Sequence, residues 1–334
     1  MFYSIIIPVQ NINDYIIEAS SRLKALDKKN FEVLIFPDTL GNNNDELERT
    51  LGAKIVASGK VSPATKRDMA LRFARGDILA FLDDDAYPQP DWLSKASPHF
   101  HNPEVAAVGG PGITPPHESF WQRVSGAVFL SSFGGGNPER YWPVGKVREV
   151  DDWPSVNLLV QRDIFAKIGG FQSAYWPGED TKLCLDIIKT GKKIIYDPDV
   201  RVWHHRRKGL LRHLKQVGRY GLHRGYFANV LPENSRKFKY FIPSLWMIFL
   251  ILGISFAFFD SQLLKIIYLS GVFAYILALL TAFFQIQLKE KNILISSVSL
   301  GFIVLTHLWY GARFLQGYFL KNNLKSKLRP VSEV

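Results

Sequence analysis

Three consecutive aspartates, Asp83, Asp84 and Asp85, stand at the end of the apolar run in "ILAFLDDDAYP". Neighbouring carboxylates repel one another and packing has no use for them, so their grouping points to a cation. In extended backbone Asp83 and Asp85 share one face and Asp84 points away. Carboxylate oxygens suit Mg2+ or Mn2+, and such an ion commonly shares its shell with substrate phosphates. A solvated acidic turn is the plainer alternative. A second acidic pair, Glu179-Asp180, lies in "YWPGEDTKLCLDIIKTG". It opens a predicted helix, where two acids cap the first turn and complement the helix dipole. Trp176, three residues earlier, could stack on an acceptor or pack in a core.

The flanking elements place these acids. "YSIIIPV", "FEVLIFPD", "AKIVASG" and "GDILAFLDDD" read as buried strands. "DYIIEASSRLKAL" carries apolar residues at helical spacing, and "SPATKRDMALRFAR" starts a helix with Pro63 in its first turn. "GNNNDE" reads as a loop. The order predicts βα units around a mainly parallel sheet, in which ligands bind at the carboxyl ends of strands. Pro8, Val9, Asp38 and the three aspartates all fall at such ends. "SFGGGNPERYWPVG" reads as a mobile loop, either a lid or acceptor loop or an inert surface segment. "KKIIYDPDVRVWHHRR" reads as two strand pieces ending in two histidines.

The net charge is +11, and residues 201–240 hold eleven Lys and Arg against Glu233 alone. Such a block could bind nucleic acid, but an apolar region follows it directly, which favours anionic headgroups or phosphate groups. "LLRHLKQVGRYGLHRGYFANVL" is basic and amphipathic, as expected of a helix lying in the headgroup layer. Three apolar segments, about 241–259, 263–284 and 293–320, are each long enough to cross a hydrocarbon core of ~30 Å. The third contains His307 and Arg313. If the basic block is cytosolic, three crossings put Lys321, Lys325, Lys327 and Arg329 outside, against the positive-inside tendency. Either one segment is re-entrant or interfacial, or the tendency fails here. The single cysteine, Cys184, excludes an internal disulfide and a thiolate zinc site, and fits a reducing compartment. "MFYSIIIPVQN" reads as a strand rather than a signal peptide.

"SIIIPVQN", "FPD", "ATKRDMALRFARGDILAFLDDDAYP", "VNLLVQRDIFAKIGGF" and "PGEDTKLCLDIIKTGKKIIYDPDVRVWHH" resemble, in order and spacing, the family 2 glycosyltransferases of the GT-A fold. The resemblance covers residues 1–225, and the apolar tail resembles the membrane-attached branch that builds polysaccharides or glycolipids. It implies an α/β nucleotide-sugar domain followed by transmembrane helices from 241 to 334. It also implies site roles. Pro8, Val9, Asp38, Lys66 and Arg67 line the nucleotide site, with Asp38 on the base. "LDDDA" matches the DxD motif, with Asp85 as direct metal ligand and Asp83 or Asp84 toward ribose and diphosphate. Glu179-Asp180 matches the catalytic "ED" pair, with Asp180 as base, and His204, in preference to His205, completes the metal shell. "QVGRY" resembles the QxxRW motif of polymer synthases and implies acceptor or diphosphate contacts by Gln216, Arg219 and Tyr220. Tyrosine in place of tryptophan departs from the processive enzymes.

The expected activity is therefore an inverting, metal-dependent hexosyl transfer in cell-envelope biosynthesis. The donor is a nucleotide-sugar, with a UDP-sugar the first expectation, and the acceptor is lipid-linked or a growing glycan. The expected site is the cytosolic face of the cell membrane, with anionic lipids as partners and no nucleic acid. A processive polysaccharide synthase and a nucleotidyltransferase are the rivals. Neither a translocating channel nor a glycine-rich N-terminal phosphate loop is evident for them.

Overall fold

The structure, a computed structural model, describes residues 1–41, 44–172, 175, 177–256, 261–321 and 323–324. Trp176 lies outside the described residues. The chain forms two compact units, Met1–Pro115 with Trp142–His205, and Pro116–Tyr141 with Arg206–Leu324. Residues 206–225, expected with the catalytic domain, thus fold with the C-terminal helices.

The first unit runs β1 (Tyr3–Pro8), α1 (Asp14–Lys24), β2 (Phe31–Phe36), α2 (Asn44–Leu51), β3 (Lys54–Ile55), α3 (Pro63–Phe73), β4 (Ile78–Leu82), β5 (Ala86–Pro88), α4 (Trp92–Ala96), β6 (Val105–Gly109) and β7 (Gly112–Ile113). After an excursion into the second unit through α5 (Phe120–Ala127) and α6 (Ser132–Gly135), it continues. There follow β8 (Arg148–Val150), β9 (Asn157–Gln161), α7 (Arg162–Lys167), α8 (Glu179–Lys189), β10 (Lys193–Tyr196) and β11 (Val202–His204). The "GNNNDE" stretch is not only a loop: α2 begins at Asn44, because Glu-Leu-Glu-Arg carries helix propensity past the asparagines.

Eight strands form one sheet in the order β3-β2-β1-β4-β9-β6-β10-β8. It is mainly parallel, and β9 runs antiparallel between β4 and β6, with β8 antiparallel at one edge. Parallel register sets Pro8 beside Phe36 and Ile6 beside Phe81, so Val9, Asp38 and Asp83 leave the sheet at the same edge. Both faces are covered. Ile5, Ile7 and Ile35 pack with Ile16 and Leu23 of α1 and Trp92 of α4. Ile6, Leu34, Leu79 and Phe81 pack with Ala64 and Ala70 of α3 and with Leu183 and Ile187 of α8. A strand buried on both faces loses the polar alternation, which is why "YSIIIP" is continuously apolar. A separate three-stranded sheet, β5-β11-β7, carries the chain past the aspartates.

The second unit also contains α9 (Leu210–Val230), α10 (Pro232–Ser235), α11 (Phe238–Ser255), α12 (Gln262–Glu290) and α13 (Ile293–Leu320). By length and composition α11, α12 and α13 could each cross a membrane. Helix α9 packs on α13. A Cβ on Gly218 would meet Trp309 at 2.2 Å, and one on Gly225 would meet the Phe314 carbonyl at 2.1 Å, so the backbones approach where glycine permits it. The face expected to enter the headgroup layer is thus largely used up on α13, leaving Leu211 the one strongly exposed leucine of α9 at 83%. The glycine-rich "SFGGG" stretch is likewise pinned rather than open: Ser132 N–H donates to Gln285 Oε1 at 3.1 Å, and His307 Nε2 lies 2.8 Å from the Phe133 carbonyl.

Candidate active site

Asp83 follows the last residue of β4, and Asp84 and Asp85 form a turn before β5. They are therefore not alternating strand residues, yet Asp83 and Asp85 still converge and Asp84 turns away. Asp84 Oδ2 accepts 2.8 Å from Asn13 Nδ2, while Asn13 Oδ1 caps α1 at the Ile16 N–H. His204 reaches the pair through the small sheet. Antiparallel pairing sets His204 opposite Ala86, and His205 N–H donates to the Asp85 carbonyl at 2.9 Å. His204 Nε2 comes to 3.2 Å from Asp85 Oδ1. His205 turns to α1 instead, 3.1 Å from Glu18 and stacked on Tyr15. One ligand atom each from Asp83, Asp85 and His204 lie within 4.8 Å of one another. Two carboxylates and an imidazole at that spacing fit a divalent cation such as Mg2+ or Mn2+.

Beside this cluster lie two buried cations. Lys66 and Arg67 are each 3% exposed, in the first turns of a helix capped by Ser62. A buried charge is costly unless paired. Lys66 Nζ pairs with Asp38 and donates to the Val9 carbonyl at 2.5 Å, which ties the ends of β1 and β2 together. Arg67 bridges Asp83 at 2.6 Å and Glu179 at 3.1 Å, and these carboxylates hold it charged despite its burial.

The acidic pair on α8 divides. Gly178, at φ 113° in the left-handed region, delivers the chain into the helix. Glu179 is buried on Arg67. Asp180 is only half-buried, and its Oδ1 accepts from the Thr181 N–H at 2.8 Å. Burial, reinforced by neighbouring Asp180, pushes the Glu179 carboxyl up to about 7 against the pull of Arg67. A carboxyl raised on folding binds its proton more tightly in the native state. Its stabilisation is full below the unfolded value near 4.5 and declines as pH rises toward 7. Replacing Glu179 with glutamine should therefore flatten the fall in stability between those pH values by on the order of 1–3 kcal/mol. Denaturant midpoints of both proteins from pH 4 to 8 measure this, and parallel profiles would contradict the assignment.

Three supporting residues escaped the sequence reading. Asp68, beside Arg67, accepts from the Phe171 N–H at 2.7 Å and the Gln172 N–H at 3.1 Å, holding the turn that precedes "PGED". Burial raises its carboxyl to about 7. Asn157 on β9 is fully buried; its Nδ2 donates to the Val200 carbonyl at 2.7 Å and its Oδ1 accepts from Trp92 Nε1 at 2.9 Å. It thereby fixes the approach to β11 and His204. Asn13 is the third, and its signal was an N-cap type directly ahead of an apolar-periodic helix. Gln216, Arg219 and Tyr220 lie on α9 in the second unit, where Gln216 Nε2 donates to Tyr220 Oη at 2.9 Å.

The profile of glycosyl transferase family 2 matches residues 4–161. Asp38, Lys66, Arg67 and Asp83–Asp85 lie inside the matched segment, and Glu179, Asp180 and His204 lie beyond it. Over 159 residues the chain is 31% identical to the pre-mycofactocin glycosyltransferase of Mycobacterium tuberculosis, covering 48% of this chain. It spans about a third of that relative's length, 33%. A second relative is the dolichyl N-acetyl-alpha-D-glucosaminyl phosphate 3-beta-D-2,3-diacetamido-2,3-dideoxy-beta-D-glucuronosyltransferase of Methanococcus voltae. It is 23% identical over 309 residues, covering 87% of this chain and 89% of its own. Among solved structures, the mannosyltransferase PcManGT from Pyrobaculum calidifontis, in complex with GDP-Man and Mn2+, shares the GT-A fold. It has a TM-score of 0.54 and 18% identity over 96% of this chain and 88% of that one.

Proposed function

We propose that this protein is an inverting, metal-dependent glycosyltransferase. It transfers a sugar from a nucleotide-sugar, a UDP-sugar first among them, to a lipid-linked or growing glycan acceptor at the cytosolic membrane face. The observation that carries the reading is the convergence of Asp83, Asp85 and His204 beside the buried Arg67 and Glu179. The dolichyl phosphate in the name of the Methanococcus voltae relative, and the three apolar helices here, support an acceptor held at a membrane.

Asp85, Asp83 and His204 would hold Mg2+ or Mn2+, which when bound acts as a Lewis acid toward the departing diphosphate. Asp38, anchored by Lys66, offers its second carboxylate oxygen to the nucleotide base. Pro8 and Val9 line that site at the end of β1. Arg67 locks Asp83 and Glu179 in place, so the donor set is oriented before any ligand arrives. Glu179 acts as a positioning residue through Arg67. Asp180 accepts the proton of the acceptor hydroxyl as that oxygen bonds to the anomeric carbon. The bond from that carbon to the diphosphate oxygen breaks on the opposite face, and this single displacement inverts the centre.

The test is a nucleotide-sugar screen with the full chain in lipid vesicles and lipid-phosphate or glycan acceptors. The expected result is release of nucleoside diphosphate from one donor, with an inverted anomeric linkage by NMR. Release of pyrophosphate would identify a nucleotidyltransferase, and a retained linkage would remove the single-displacement role of Asp180.

A further inference from the structure

The third apolar helix differs from the other two. Of its apolar window 39% is buried, against 11% for α11 and 6% for α12. Helices α11 and α12 expose Ile251, Leu252, Ile254, Ile266, Leu269 and Phe273 as a lipid-facing span would. Helix α13 instead buries a stripe, Ile295, Ser299, Phe302, Thr306, Phe314 and Gly317, at helical spacing.

Its companion is α9. His213 lies 2.8 Å from Thr306, Gly218 faces Trp309, Gly225 faces Phe314, and Asn229 Nδ2 donates to the Tyr318 carbonyl at 2.8 Å. The pairs ascend together, so α9 runs parallel to α13 from Thr306 to Tyr318, roughly 18 Å at 1.5 Å per residue. Along that length α9 carries Lys215, Arg219, His223 and Arg224 with no acidic residue, and Lys215 and Arg219 are exposed. If α13 crossed the bilayer, this basic helix would cross beside it with arginine and lysine turned outward, at depths where such residues are rare and face protein or water.

The two ends of α13 give the same answer. Its start is tied to the end of α12, where Ser296 Oγ donates to Gln287 Oε1 at 2.8 Å. Its end is tied to the start of α11: Phe241 meets Phe314 and Tyr318 with ring centres 4.7 and 5.6 Å apart, and Arg236 donates to Tyr318 Oη at 3.2 Å. If α11 crosses outward and α12 returns, the start of α11 and the end of α12 share one face. Both ends of α13 then lie on that face.

We infer that α11 and α12 alone cross the membrane, as a hairpin, and that α13 is an interfacial helix lying between that hairpin and the basic helix α9. The tail beginning at Lys321 therefore stays on the side of α9, and so does the catalytic unit, to which α9 connects through β11. The positive-inside conflict eases, because Lys321 at the end of α13 joins the basic block on one face. The partner of this surface is a lipid bilayer, with the hairpin in its hydrocarbon and the exposed Arg212, Lys215 and Arg219 toward anionic headgroups.

Cysteine accessibility tests the arrangement without reference to activity. The one native thiol, Cys184, is fully buried and is replaced by serine as background. Single cysteines are placed as Lys29→Cys in the catalytic unit, Gln262→Cys at the hairpin tip and Asn323→Cys after α13, with Leu263→Cys and Leu324→Cys as second choices should a variant fold poorly. An impermeant maleimide is applied to sealed vesicles of each orientation, with detergent-opened vesicles defining full labelling. The Asn323→Cys and Leu324→Cys variants should label in the same vesicles as Lys29→Cys, and the Gln262→Cys and Leu263→Cys variants only in the opposite ones. Labelling of Asn323→Cys together with Gln262→Cys would establish three crossings and overturn the inference. Labelling of Gln262→Cys together with Lys29→Cys would overturn it too, since the hairpin would not cross.

Discussion

The Asp85→Ala variant should lose sugar transfer altogether, a fall of roughly 10³-fold or more, because the metal contributes several kcal/mol of charge stabilisation and each ~1.4 kcal/mol is tenfold in rate. Asp85 is the least exposed acid of the three-residue cluster at 7%, and His204 Nε2 lies 3.2 Å from its Oδ1. The backbone bond from His205 N–H to the Asp85 carbonyl survives the substitution, so β5 and β11 stay paired and the fold should persist. Metal binding and donor binding should both weaken, whereas the thermal midpoint in chelator should change little. Manganese titration, donor titration and a melting curve on the same preparation read the three quantities. Unchanged manganese binding in the variant would show that the ion sits elsewhere.

The Asp180→Asn variant should separate binding from chemistry. The asparagine keeps the shape and its Oδ1 can still accept from the Thr181 N–H, the contact made in the native protein at 2.8 Å. It cannot take a proton. Turnover should fall on the order of 10²–10⁴-fold with donor and metal affinity retained. Loss of donor affinity instead would make Asp180 a structural or nucleotide residue. Glu179 provides the contrast, since its carboxylate already belongs to Arg67 and its removal should act through positioning and stability.

Much of this site was legible because it is local. The strand-end acids, the Ser62-Pro63 helix start and the order of βα units follow from apolar runs and cap residues that a sequence displays directly. The convergence of Asp83 and Asp85 was anticipated from strand alternation, but its cause is a turn into β5 and a small sheet shared with β11, a long-range pairing. The antiparallel insertion of β9 was hidden for a related reason. "NLLV" is buried on both faces, so it lacks the alternation that signals direction or edge. Asp68 and Asn157 act on backbone groups about 103 and 43 residues away, and no spacing rule reaches that far. The packing of helix α9 was the least legible, because an amphipathic basic helix reads the same whether its apolar face meets lipid or α13.

The most direct test of the central claim is donor turnover by the full chain in vesicles as divalent ion is removed and returned. The expected result is loss of nucleoside diphosphate release in excess chelator and recovery with added Mn2+ or Mg2+, with no recovery in the Asp85→Ala variant. Full release in excess chelator would contradict a metal at Asp83, Asp85 and His204, and with it the proposed chemistry.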